Sequence, residues 1–320
     1  MNKFKKLGLT ALAGSLVATS AYAGEVTVAG GASMGVKNNS GTDGGKSWTM
    51  GNQLTFSGGG ELDNGLNVSI SFVLDQGDNS ESATKTSTVA TAESPFDSHS
   101  ITVSSDELGS ITMAGEGGSS AQTAVDGTAA GDIFDNGFGI SSPAASDTAN
   151  GGLLYTLPSM MDDISVQASY MPGGAGKESS TAFNLTYTGV DGLSATYASG
   201  ELATLGTTGD ATTIKASYAV GSFTVAASNT EVDYDASTNN DQEISSFKVS
   251  YTVTDDISIS YGEETFETDG SATDEEVEQI SASYTTGGMT VSLSDTEANG
   301  IDHIAGSTGE RWKLGVSFAF

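Results

Sequence analysis

The chain has 320 residues, 42 of them glycine and 4 proline, no cysteine, and a formal charge of −30 from 11 basic and 41 acidic residues. That charge excludes nucleic-acid binding, which needs Lys and Arg against phosphates, and the missing cysteine excludes a disulfide framework. Hydrophobic residues make up only 37%, little for a soluble core of this length, so disorder is the compositional rival.

Lys3, Lys5 and Lys6 precede an apolar run from Leu7 to about Thr19, and Ala21-Tyr22-Ala23 follows with small residues at both specificity positions of a cut. This order marks residues 1–23 as a cleaved signal peptide. The apolar run is too short for a membrane anchor, which needs about 20 residues. The mature chain, 24–320, keeps eight basic and all 41 acidic residues, a charge of −33. Nothing in it reads as a transmembrane helix. It is therefore soluble, surface-attached or a membrane β-barrel, whose alternating strands leave almost no hydropathy signal.

The dominant period is two. Leu66, Val68, Ile70, Phe72 and Leu74 alternate with Asn67, Ser69, Ser71 and Val73; Trp312, Leu314, Val316, Phe318 and Phe320 alternate with Lys313, Gly315, Ser317 and Ala319. Such alternation predicts half-buried strands. In chain order they fall at roughly 25–36, 53–62, 66–74, 99–105, 110–116, 151–157, 164–171, 180–188, 193–201, 212–218, 222–230, 244–252, 257–266, 277–285, 288–296 and 311–320. The first, sixth and tenth are the weakest in pattern. Tight turns such as Asp63-Asn64-Gly65 and Gly189-Val190-Asp191-Gly192 alternate with connections of about 8 to 34 residues. An even strand count, with short turns on one rim and long loops on the other, predicts one all-β domain. It is a 16-stranded antiparallel transmembrane β-barrel with short periplasmic turns and long extracellular loops. Pro95, Pro143, Pro158 and Pro172 all fall between the strands, as ladder geometry requires. Tyr187, Tyr218, Phe223, Tyr251, Tyr284, Phe318 and Phe320 come to one level at the short-turn rim, and we assign them to an interfacial aromatic girdle.

Three short segments resemble the alphaproteobacterial, Rhodobacter-type branch of the Gram-negative general porins. They are Gly60-Glu61-Leu62-Asp63-Asn64-Gly65-Leu66, Leu108-Gly109-Ser110-Ile111-Thr112-Met113-Ala114-Gly115, and the ending Gly315-Val316-Ser317-Phe318-Ala319-Phe320. The resemblance implies a homotrimer in the cell outer membrane and a third loop folded into the lumen. It also implies that the outer-membrane assembly machinery reads the terminal Phe320. The longest connection, 117–150, follows the fifth strand as the family's third loop does. Its acids Asp126, Asp132, Asp135 and Asp147, with Glu116 leading in, then line the constriction, and Phe134 and Phe138 pack the loop on the wall. The family's eyelet sets such acids against clustered arginines, but the one arginine here is Arg311, which speaks against a strong transverse field.

Period two turns Lys215, Lys248 and Lys313 inward, since lipid-facing Lys near the bilayer midplane costs about 2–4 kcal/mol. They form the positive side of the eyelet or merely balance lumen charge. Glu201, Glu263 and Asp295 share the lipid-facing parity and are expected above the hydrocarbon. Dense acids at 232–235 and 274–276 are read as outer loops able to hold Ca²⁺ or Mg²⁺ weakly and to bridge to lipopolysaccharide. No stretch fits a calcium-binding loop, and no other cofactor is expected. His99 and His303 are the two histidines, and no catalytic or nucleotide motif surrounds them, so no enzyme activity is expected. The sequence thus points to a water-filled channel for passive diffusion of small hydrophilic solutes, cation-preferring. A substrate-specific channel and a non-pore acidic adhesin remain the alternatives.

Overall fold

The computed structural model describes residues 26–40, 45–75, 79–81, 96–135, 138–147, 150–158, 162–174, 176–236 and 239–320. Residues 1–23, expected to be a signal peptide, lie outside them. Sixteen strands follow in chain order: β1 Thr27–Asn39, β2 Gly45–Glu61, β3 Asn67–Asp75, β4 Phe96–Ser105, β5 Gly109–Glu116, β6 Leu153–Thr156, β7 Ile164–Met171, β8 Ser180–Tyr187, β9 Leu193–Leu202, β10 Gly209–Val220, β11 Phe223–Tyr234, β12 Gln242–Thr254, β13 Ile257–Thr268, β14 Glu275–Thr286, β15 Met289–Asn299 and β16 Thr308–Ala319. A three-residue piece, Asn79–Glu81, continues β3 along β2. Every strand pairs antiparallel with its chain neighbours. β1 also pairs with β16, from Gly31↔Ala319 to Asn39↔Arg311, which closes the sheet. Closure removes both open edges, so all ladder hydrogen bonds are internal, as a bilayer demands.

The tight turns carry the chemistry that keeps them short. In the β2–β3 turn Gly65 takes φ +81°, a conformation that costs glycine nothing, and the Asn64 side chain accepts the Leu66 N–H at 3.2 Å.

Each of the sixteen expected strands exists, but β1, β2 and those of the later half run farther toward the long-loop rim than the alternation indicated. β11 continues to Tyr234, β12 begins at Gln242 and β14 at Glu275. The acids at 232–235 and 274–276 therefore stand largely on strands, and the outer loops there are correspondingly short. The cause is an inversion of polarity along the strand. Near the turn rim, Ile214, Phe223, Val225, Phe247 and Ile259 are exposed on the outer face. Near the loop rim the same face carries Asp210, Glu231, Glu267, Glu276, Glu278, Glu297 and Glu310, all exposed. The inner face there buries Ala211, Val232, Ile244, Phe266, Val277 and Ala298. A pattern search for apolar-out strands stops where that inversion begins.

Candidate functional site: the lumen and the loop that crosses it

Residues 117–135 and 138–147, which follow β5, lie on the inner face of strand after strand. The Ser169 hydroxyl on β7 accepts the Ala121 N–H at 2.8 Å, and the Asn184 amide on β8 donates to the Ala121 carbonyl at 2.7 Å. Gln122 donates to Thr213 on β10 at 3.1 Å. Thr230 on β11 donates to the Gly127 carbonyl at 3.2 Å. On β12, Ser246 accepts the Ala130 N–H at 2.8 Å and Lys248 reaches the Ala130 carbonyl at 3.3 Å. On β13, Glu264 accepts the Phe134 N–H at 3.0 Å. The loop then reaches β16, where the Arg311 guanidinium lies 5.8 Å from the Phe138 ring centre.

The wall is shaped for this crossing. A Cβ on inward Gly262 would stand 2.9 Å from the Ala130 Cβ, and one on Gly309 would stand 2.5 Å from the Phe138 ring. Phe134 and Phe138 join Ile133, Ile140, Ile244, Phe266, Val277 and Ile301 in one buried cluster. Burying side chains of this size contributes about 1.5–3 kcal/mol each. The polar anchors supply register, because an unmet buried N–H would cost about 1–3 kcal/mol and a buried carboxylate more. The return limb is fixed too. Gln122 accepts the Ser146 N–H at 3.0 Å and Gln242 accepts the Ala144 N–H at 3.0 Å.

The acids named from the sequence are divided by this arrangement. Asp126 keeps 54% of its side chain exposed and pairs with Lys215 at 2.9 Å. Burial pushes its carboxyl up, but hydrogen bonds from the Thr128 amide and hydroxyl and the Lys215 ammonium outweigh that and hold it below the ordinary value. Asp132, at φ +52°, is exposed and accepts the Thr128 hydroxyl at 2.9 Å. Asp135 ends a short 3₁₀ turn, Ile133–Asp135, and its side chain lies outside the described part. Asp147 is nearly buried against Lys177 and the Ala203 N–H, so it fixes the exit of the loop. Glu116 ends β5 beside His99, 4.0 Å away.

Lys215 also donates to the Asp126 and Thr128 carbonyls at 3.0 and 2.8 Å. Thus Lys215 and Lys248 are both held by the loop. Lys313 is exposed on the inner face, directly across from Lys37 on β1. Sequence reasoning missed Lys37 and underrated Arg311. The expected first strand ended at residue 36, one short of Lys37, and a guanidinium under Phe138 has no sequence signature. The wall therefore presents two sets of cations: one bound to the loop, one across the opening on β1 and β16.

The aromatics named for the girdle stand together at the turn rim. Tyr218 lies across from Val225, and Phe223 across from Tyr251, ring centres 4.7 Å apart. Tyr284 lies across from Ile257 and Phe318 from Met289, and Tyr187 across from Ile164. Phe320 exchanges backbone hydrogen bonds with Gly30 at 2.7 and 3.0 Å. Glu201, Glu263 and Asp295 lie on the outer face. Glu201 accepts the Thr181 N–H and hydroxyl, Glu263 accepts the Tyr261 hydroxyl, and Asp295 stands between Ile280 and Trp312. Among the described residues no group of three or more His, Cys, Asp or Glu side chains could hold a metal ion.

A closed barrel that is apolar outside toward the turn rim, hydroxyl-lined inside and crossed by a loop defines a transmembrane pore. The sequence matches the Gram-negative porin family over residues 8–290, and the chain belongs to that family. Solved structures share the fold at low identity. An anion-selective porin from Comamonas acidovorans superposes with a TM-score of 0.71 at 14% identity, covering 92% of this chain and 99% of its own. OmpF of Salmonella typhi, in complex with daunomycin, gives 0.72 at 13%, covering 93% and 98%. A mutant of the Rh. blastica porin gives 0.66 at 14%, covering 92% and 100%. No curated protein sequence matches. The protein is an outer-membrane porin.

Proposed function

We propose that this porin passes small hydrophilic solutes and ions by passive diffusion and prefers cations, and that it works without catalysis as a homotrimer. The observation that carries the preference is the unequal fate of the lumen charges. Lys215 and Lys248 are held by loop carbonyls, and Lys215 also by Asp126, whereas the Asp126 side chain is still 54% exposed and Asp132 is exposed as well. A narrow low-dielectric passage concentrates counter-ions of the opposite sign. The fold alone cannot set the sign, since the Comamonas porin of the same architecture is anion-selective. Lys37 and Lys313 on the opposite wall moderate the preference.

Reversal potentials across planar bilayers under a KCl gradient test the reading. The expected result is K⁺ over Cl⁻; preference for Cl⁻ refutes it. Homotrimer formation is supported by the outer face of β1 and β2. There Met34, Trp48 and Met50 stand exposed toward the loop rim, at the end of the strands where β13–β16 carry glutamates. An exposed apolar surface of that kind marks a contact. Conductance that closes in three equal steps is expected. The exposed C-terminal Phe320 is assigned to recognition by the assembly machinery, and Phe320→Ala is expected to lower the yield of folded protein in the membrane.

A further inference from the structure

The connection between β15 and β16, residues 300–307, is fastened over the far end of the crossing loop. Ile301 is buried in the cluster that holds Phe134 and Phe138. It meets Phe138 over Gly309, where a Cβ would stand 2.5 Å from the Phe138 ring and 3.1 Å from the Ile301 Cδ1. Two polar ties hold the residues that follow. Glu275, 4% exposed, accepts the Asp302 N–H at 2.7 Å. The His303 Nδ1 donates to the Thr273 carbonyl at 2.8 Å, and the His303 ring lies 5.6 Å from that of Phe266.

The backbone works against these ties. Asp302 and His303 take φ +60° and +56°, and they are two of the three non-glycine residues at positive φ among the described residues. In that conformation a Cβ crowds the following carbonyl, which Asp and His tolerate better than most residues but still at a cost. One buried isoleucine and two hydrogen bonds are thus set against two successive strained residues. The fastened and released forms therefore lie close in free energy.

From this opposition we infer that residues 300–307 are a clasp that opens spontaneously and, on opening, frees the Phe138 end of the crossing loop. Release returns Asp302 and His303 to ordinary φ, exposes Ile301 and uncovers Phe138. The loop end then moves, and the current changes in brief steps smaller than one subunit's conductance. That effect on current rests on the channel reading; the clasp itself does not.

Single-channel recording of the native protein in planar bilayers reads the frequency of these steps. Glycine enters the left-handed region without cost. Asp302→Gly keeps the N–H that Glu275 accepts and should make the steps about tenfold rarer. Glu275→Ala removes the acceptor and should make them about tenfold more frequent. Glycine loosens an ordinary loop, so more frequent steps in Asp302→Gly overturn the inference. Asp302→Asn removes the charge but keeps the Cβ, and its effect should fall well short of glycine's; an equal effect assigns the change to charge and overturns the inference too.

Thiol labelling reads the clasp without current, since the chain has no cysteine. Ile304→Cys, at a position 58% exposed, should react at once with a bulky water-soluble methanethiosulfonate, and Ile301→Cys slowly. Adding Asp302→Gly should lower the Ile301→Cys rate about tenfold, and adding Glu275→Ala should raise it about tenfold. A rate equal to that of Ile304→Cys, no reaction at all, or a rate that neither addition moves overturns the clasp. Labelling as expected in a protein that forms no conducting channel overturns the channel reading alone.

Discussion

The two halves of the lumen wall are built on opposite principles. From β10 to β15 the inner face is a packing surface: Val232, Ile244, Phe266 and Val277 are buried beneath the crossing loop, and Glu264, 1% exposed, is enclosed with them. From β1 to β5 the inner face is a wetted surface of small hydroxyl residues. Ser33, Gln53, Ser69, Ser71 and Thr102 are at least partly exposed among the described residues. The same barrel therefore contains a dry core on one side and a water column on the other. The passage runs between the loop and the bare wall, and each side is sensitive to different changes.

The comparison can be broken most directly with a charge. Ile244→Asp buries an unpaired carboxylate under the loop and should destabilise by about 3 kcal/mol or more. Ser71→Asp on the bare wall should change stability by less than about 0.5 kcal/mol. Urea unfolding in detergent micelles measures both, and equal losses would mean the halves are alike. Next in size is Glu264→Ala, which leaves the Phe134 N–H buried without its acceptor, at about 1–3 kcal/mol. Its single-channel current should be noisier than wild type because the loop is less firmly held. Glu264→Gln, which keeps an acceptor, should lose less.

Charges on the bare side should act on ions rather than on stability. Lys37→Met with Lys313→Met should raise the K⁺ to Cl⁻ permeability ratio roughly two- to fivefold, under about 1 kcal/mol. The matching change on the covered side, Lys215→Met, removes one positive charge rather than two and should alter the ratio less. Its clearer effect should appear in acid. The Asp126 carboxyl is held below its ordinary value, so what the pair contributes is present above the unfolded pKa of about 3.9 and is lost as pH falls through the lower folded pKa. In wild type the acid-induced fall in cation preference should begin below that ordinary value, and in Lys215→Met it should begin at higher pH. Reversal potentials recorded against pH separate the two, and coincident curves would remove Asp126 from the passage.

Much of this architecture could be read from residues that face lipid. Along β7, Ile164, Val166, Ala168 and Tyr170 alternate with polar neighbours, because hydrocarbon imposes a single requirement on every outward position. Strand number and turn positions follow from that. Asp63-Asn64-Gly65 and its counterparts mark the turn rim for local steric reasons that need no knowledge of the rest of the chain. Legibility ended at residues whose environment is made by distant chain. Val232, Ile244 and Val277 point inward and are apolar because the crossing loop comes to lie on them, Ala144 against Val232, and Phe134 and Phe138 in one cluster with Ile244 and Val277. The alternation therefore reverses at the loop rim, and the strands were expected to stop early.

The candidate site divides in the same way. Acids on the long connection and lysines of inward parity could be named from spacing alone, since the sequence sets which face a strand residue meets. It does not set which partner waits there. That Lys215 meets Asp126, that Asp147 is consumed by Lys177, and that Lys37 stands opposite Lys313 across the closing seam are decided by how the crossing loop and the first and last strands come together. Alternation is a local rule imposed by two solvents, whereas charge pairing inside a closed barrel depends on contacts between segments well separated along the chain.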